Sequence, residues 1–308
     1  MWRRAPSLTL LSRNLAASAR DVNPMATAVV VSDADRTTIH ASFFALTCGA
    51  LGMLGVGVGT FISPGSGSWL GWALHVAGWI LVSVAIVAHI EHLSNRLGRV
   101  AVVCGILAAV AQGLADLPFA INSDWVSDSG WLAYYNAMWA VAWLLAAASI
   151  ALAAVRKEKR MEAHLASGRP GMYAAEDFAT TVHASFLSLV TGAIGFLLAG
   201  IASLILATGV GPASRLAWIL VTIGSGLLAV AIASHIQHLS HSMGRPAVVV
   251  GIVALILGAL NFLPAVFDPT GAGAFAAQLS WLLWAVASTA GGISIGLVAI
   301  RRRGQAGS

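Results

Sequence analysis

Residues 89–94 read HIEHLS and residues 235–240 read HIQHLS, and each phrase stands at the end of a long apolar run. Working outward from the phrase, its surroundings recur as well. TTIHASF at 37–43 answers TTVHASF at 180–186, GRVAVVCGI at 98–106 answers GRPAVVVGI at 244–252, and WAVA stands at both 139–142 and 284–287. The first pair is displaced by 143 residues and the histidine phrase by 146, so the halves differ by a small insertion between their first two helices. The chain reads as two tandem copies of one unit.

The composition states the solvent of that unit. Of 308 residues, 58% are hydrophobic and 9% charged, with a mean hydropathy of +0.84. Soluble domains devote about a quarter of their residues to charge, so a water-soluble fold is excluded. A hydrocarbon core about 30 Å thick takes about 20 helical residues. Runs of that size fall at roughly 41–62, 70–92, 100–120, 131–155, 184–208, 216–238, 246–267 and 279–300. The fold class is therefore all-α integral membrane: eight transmembrane helices as two four-helix repeats of one orientation, related by a pseudo-two-fold axis along the membrane normal. Short turn-forming breaks such as SPGSGS at 63–68 and DPTGAG at 268–273 make sequential helices antiparallel neighbours.

Five segments follow: 1–36 ahead of the first span, the repeat 37–155, a polar linker 156–179, the repeat 180–300 and a basic tail 301–308. The first 24 residues are rich in Arg, Ser and Ala and have the composition of an organellar transit peptide. A start at Met25 is the simpler reading. With the amino terminus inside, 16 of the 17 Lys and Arg residues fall on the inner side and only Arg215 outside, which puts both termini in the cytoplasm. A bacterial inner membrane is favoured, and an organellar inner membrane follows if 1–24 is a transit peptide. Cys48 and Cys104 lie in apolar runs without Cys-x-x-Cys spacing, so neither a disulfide nor a redox compartment is read from them.

This topology collects His40, His89 and His92 of the first copy, and His183, His235 and His238 of the second, at one depth near the cytoplasmic boundary. Residues three apart share a helix face, so His89 and His92 can address one object while His40 offers a third nitrogen from the next helix. Three imidazoles with an open position suit an exchangeable or catalytic Zn, Cu or Fe. His241 is an extra ligand candidate in the second copy, where the first has Asn95. Haem b is the rival cofactor, although neighbouring helices about 8–10 Å apart leave little room for a porphyrin between two imidazoles. The plain alternative is a set of boundary histidines that bond to water, backbone or lipid, with no cofactor. Ser94 with Arg99, and Ser240 with Arg245, flank the turn into the third helix of each copy, where an anion such as a quinone oxygen or a carboxylate could be held. Arginines anchored to lipid phosphate are the simpler account of the same residues.

Other features have structural readings. Gly49, Gly52, Gly192, Gly195, Gly292 and Gly296 permit close helix packing. Trp131, Tyr134, Tyr135, Trp139, Trp281 and Trp284 form an aromatic belt. Pro118 and Pro264 stop the third and seventh spans. Asp116, with Phe262 as its counterpart, either belongs to a proton or cation path or, as the simpler reading, reaches the outer headgroups, and His75 near the outer end of span two has Val221 as its unshared counterpart. No phosphate loop, serine elbow or nucleic-acid motif is present, so no catalytic residue is assigned. Two functions are expected as alternatives. One is a membrane oxidoreductase with a metal or haem on the six histidines, acting on a quinone or another small molecule. The other is a transporter or channel for a small solute, protons or metal ions, using the same histidines as gate or relay. The apolar midplane favours the first.

Overall fold

The structure is a computed structural model that describes residues 41–63, 68–166, 185–208, 214–234, 236–269 and 274–306. The described residues are helical and carry no strand. In chain order the helices are α1 (Phe43–Ile62), α2 (Trp69–Val87), α3 (Ile90–Leu97), α4 (Arg99–Ile121), α5 (Ser129–Ala166), α6 (Phe186–Ala207), α7 (Arg215–Ala233), α8 (Ile236–Met243), α9 (Arg245–Leu260), α10 (Leu263–Phe267) and α11 (Ala274–Ala306). A 3₁₀ turn, Ser123–Ser127, joins α4 to α5. Eight spans are long and apolar enough to cross a membrane, with α9 and α10 together making the seventh. This is the fold of a multi-pass membrane protein.

Each long helix packs on the next, and α11 returns to pack on α1, so the eight spans close into a ring. Lipid provides no hydrophobic drive between helices, and association rests on close packing of small residues. A Cβ added to Gly52 would lie 2.6 Å from the Gly78 carbonyl oxygen, and one on Gly78 would lie 2.5 Å from that of Gly52. The same reciprocal contact holds Gly195 on α6 against Gly224 on α7, at 2.6 and 2.5 Å. Gly292 is equally required on the α11–α1 seam, where a Cβ would meet the Leu54 nitrogen at 2.9 Å. At Gly49, Gly192 and Gly296 a Cβ would find ordinary contact distances.

Further contacts come in pairs. Ser42 and Ser185 cap α1 and α6 by accepting from the third amide onward. Ser149 donates to the Ala101 carbonyl and Ser294 to that of Ala247, each at 2.7 Å. Gly98 and Gly244 have φ of 95° and 94°, the left-handed region that glycine enters at no steric cost, and Arg156 and Arg301 lie against them.

Three expectations about the spans are corrected. The second and sixth spans do not run through the histidine phrases: α2 ends at Val87 and α7 at Ala233, and Ile90–Leu97 and Ile236–Met243 form the separate short helices α3 and α8. The polar segment after 156 begins as helix, because α5 continues to Ala166, and α11 likewise carries Arg301–Arg303. Pro118 does not stop the third span, since α4 continues to Ile121. Proline at 118 leaves the Leu114 carbonyl without its helical donor, and the Tyr134 hydroxyl donates to that oxygen at 3.1 Å. In the second copy Leu279 stands in the place of Tyr134, and the span breaks at Asn261–Phe262 just before Pro264.

Gly195→Ala should therefore cost about 1–3 kcal/mol through overpacking, seen as a lowered thermal midpoint in detergent. Gly226→Ala, where a Cβ meets nothing within 4 Å, should leave the midpoint unchanged.

Candidate functional site

The boundary histidines are described in part. His89 is the residue before α3, with φ −120° and ψ 14°, and His92 lies in the first turn of that helix. Their rings face each other with centroids 4.9 Å apart and planes tilted by 46°. Nε2 of His89 is buried and makes no hydrogen bond. Burial, and then the charge of Arg96, hold the His89 imidazole below its ordinary range, so it stays neutral to lower pH than a free histidine. Neutral imidazole is the form that binds metal. His40, His183 and His235 lie outside the described residues, and His238 and His241 are placed on α8 by backbone alone. Among the described residues no three His, Cys, Asp or Glu side chains converge as a metal site would require. Ser94 and Ser240 use their carbonyls to accept from the amides of Gly98 and Gly244, at 3.0 and 3.2 Å. Arg99 and Arg245 are exposed at the starts of α4 and α9.

The most polar interior lies at the other end of the ring, about 20 Å away by the 1.5 Å rise along α2 from His75 to His89. His75 on α2 is 3% exposed and Asp116 on α4 is 0% exposed. Asp116 thus does not reach the headgroups. Its Oδ2 lies 3.3 Å from His75 Nδ1, and His75 Nε2 lies 2.8 Å from the Thr60 hydroxyl. The same hydroxyl reaches the Val56 carbonyl at 2.8 Å, and the tautomer of the imidazole sets which atom donates to Thr60 and to Asp116. Oε1 of Gln112, one turn from Asp116 on α4, is a buried acceptor without a hydrogen-bond partner, and the Trp79 indole N–H faces the Asp116 carboxyl. Burying such groups in hydrocarbon is costly and marks functional positions.

Four of the six aromatic residues read as a belt, Tyr135, Trp139, Trp281 and Trp284, face a cavity instead. Trp72 is 4% exposed and packs on His75, Phe119, Tyr135 and Trp281. Tyr135, Trp139, Trp281 and Trp284, with Trp143 and Trp218, wall a cavity of about 330 Å³ between α5, α6, α7, α10 and α11. Trp131 stacks on Trp125 at 4.5 Å, nearly coplanar, at the same end.

The register of the copies explains the cavity. Thr60, Trp72, His75, Asp116 and Phe119 correspond to Ser203, Trp218, Val221, Phe262 and Ala265, all five of which line it. In the first copy this volume is filled by Phe119, 1% exposed and packed on Trp72 and Tyr135. Alanine at 265 leaves it open. The matching sequence positions thus carry a buried His75–Asp116 contact in one half and an aromatic-walled cavity in the other. No protein family, characterised protein or solved structure matches the chain. The sequence signal that pointed here was the pair of unshared residues, His75 and Asp116, rather than any motif.

By proton NMR, His89 should titrate below about 6.5, the ordinary histidine value. Arg96→Gln should move that midpoint upward, because the guanidinium opposes the second positive charge.

Proposed function

We propose that the protein is a transporter that admits a small molecule to the cavity and links its passage to the proton shared by His75 and Asp116. The observation that carries this reading is the break of the seventh span at Asn261–Phe262, beside the cavity and across the Tyr135–Trp72 wall from the buried pair. Transporters with parallel repeats place their sites at the repeat junction, on interrupted helices whose freed backbone groups serve the ligand. The reading takes the chain as two four-helix repeats of one orientation about an axis along the membrane normal, with both termini cytoplasmic. The cavity then opens toward the outer side and the histidine phrases face inward, where they could act as the inner gate. Thr60, His75, Gln112 and Asp116 add a buried polar cluster toward the cavity end of the interior.

The test uses the purified chain in liposomes loaded with a pH-sensitive dye. After an imposed pH step, wild-type vesicles should equilibrate faster than protein-free ones, and Asp116→Asn should return the rate to the protein-free value. Equal rates in wild type and variant would remove the coupling.

A second reading, a transition metal (Zn, Cu or Fe) or haem b serving a membrane redox reaction, is favoured by the facing His89 and His92 rings and the unpartnered Nε2. Elemental analysis and an oxidised-minus-reduced spectrum of the detergent-purified protein decide it. Bound metal or a Soret band should disappear in a His89→Ala/His92→Ala variant if this reading holds.

A further inference from the structure

We infer that the ligand of the cavity is an uncharged aromatic molecule of one or two rings, seated against Trp218 as Phe119 is seated against Trp72; this rests on the cavity being a binding site, as proposed above. In the first half three rings pack together: Phe119 lies 4.9 Å from Trp72 and 5.6 Å from Tyr135 between ring centroids. They stand on α2, α4 and α5, where α4 packs on both of the others. The matching residues of the second half are Trp218, Ala265 and Ser280 on α7, α10 and α11, and there too α10 packs on both of the others. The tryptophan is kept, both of its aromatic neighbours are replaced by small residues, and all three line the cavity. What the first half fills with its own side chains, the second leaves as space walled by rings.

The membrane itself selects among the molecules that could fill that space. An aliphatic group gains nothing by leaving lipid tails for an apolar cavity, whereas an aromatic ring gains edge and face contacts with Trp218, Trp281 and Trp284 that lipid does not offer. Charge finds no counterpart there. Among the described lining residues there is no Glu, Lys, Arg or His, and Asp268 is already engaged, so a charged ligand would be buried unpaired.

Naphthalene and its saturated counterpart trans-decalin share a skeleton and differ in ring faces. Both are volatile, so headspace gas chromatography reads their retention by nanodiscs holding the full chain, against empty nanodiscs of the same lipid. Naphthalene should show an excess that saturates at one per chain, and decalin should bind about tenfold more weakly, the ratio that one or two ring contacts give. Trp218→Leu should bring naphthalene down to the decalin level and leave decalin unchanged. Ala265→Phe/Ser280→Tyr, which rebuilds the trio of the first half around Trp218, should abolish the naphthalene excess while gel filtration and thermal midpoint stay those of the wild type.

Equal retention of the two hydrocarbons, or an unchanged ratio in Trp218→Leu, would overturn the aromatic assignment, while the proton assay with Asp116→Asn still decides transport. No excess of either hydrocarbon, the result that a resident lipid chain gives, would overturn the cavity as the ligand's site, as would a naphthalene excess that survives in Ala265→Phe/Ser280→Tyr.

Discussion

The structure depends on backbone-to-backbone contact between helices. Where Gly52 meets Gly78 and Gly195 meets Gly224, two helices touch with no side chain between them. In lipid this contact is the main source of cohesion, because apolar side chains gain nothing by leaving hydrocarbon for protein. The two tight pairs, α1 with α2 and α6 with α7, fix where α2 and α7 end ahead of the histidine phrases and where His75 and Val221 stand toward their opposite ends. The Gly292 contact of α11 on α1 closes the ring and brings Trp281 onto Trp72. Without that closure neither the cavity nor the buried pair would be shielded.

Within this frame the two halves diverge at one level. The first half fills its interior with Trp72, Phe119 and Tyr135 beside the His75–Asp116 contact, and Tyr134 bonds the carbonyl that Pro118 frees in its third span. The second half has leucine in place of that tyrosine, its corresponding span turns at Asn261–Phe262, and alanine at 265 borders the cavity. A polar group buried in hydrocarbon must find its partner inside the protein.

The boundary histidines illustrate a limit of linear spacing. The phrase HIEHLS brings His89 and His92 together as its spacing implies, but through a break after Val87 and a new short helix rather than through the end of a span. The break makes that helix amphipathic, which suits a segment lying along the boundary. It also buries His89 Nε2 near Arg96, an environment that no spacing rule reports.

The sequence by itself determined the number of spans, the two-copy wording, the small-residue seams and the asymmetry at positions 75 and 116. Each is a local or periodic property: apolar length, repeated words, glycine placement and charge distribution. Only the tertiary structure decided which way the aromatic residues face, that Asp116 pairs with His75 across forty residues of chain, and that Phe119 and Ala265 make the difference between a filled interior and a cavity. A tryptophan near a span end satisfies a lipid interface and a protein interior equally well in sequence. What separates the two is the neighbour supplied by another helix, and ring closure alone supplies it.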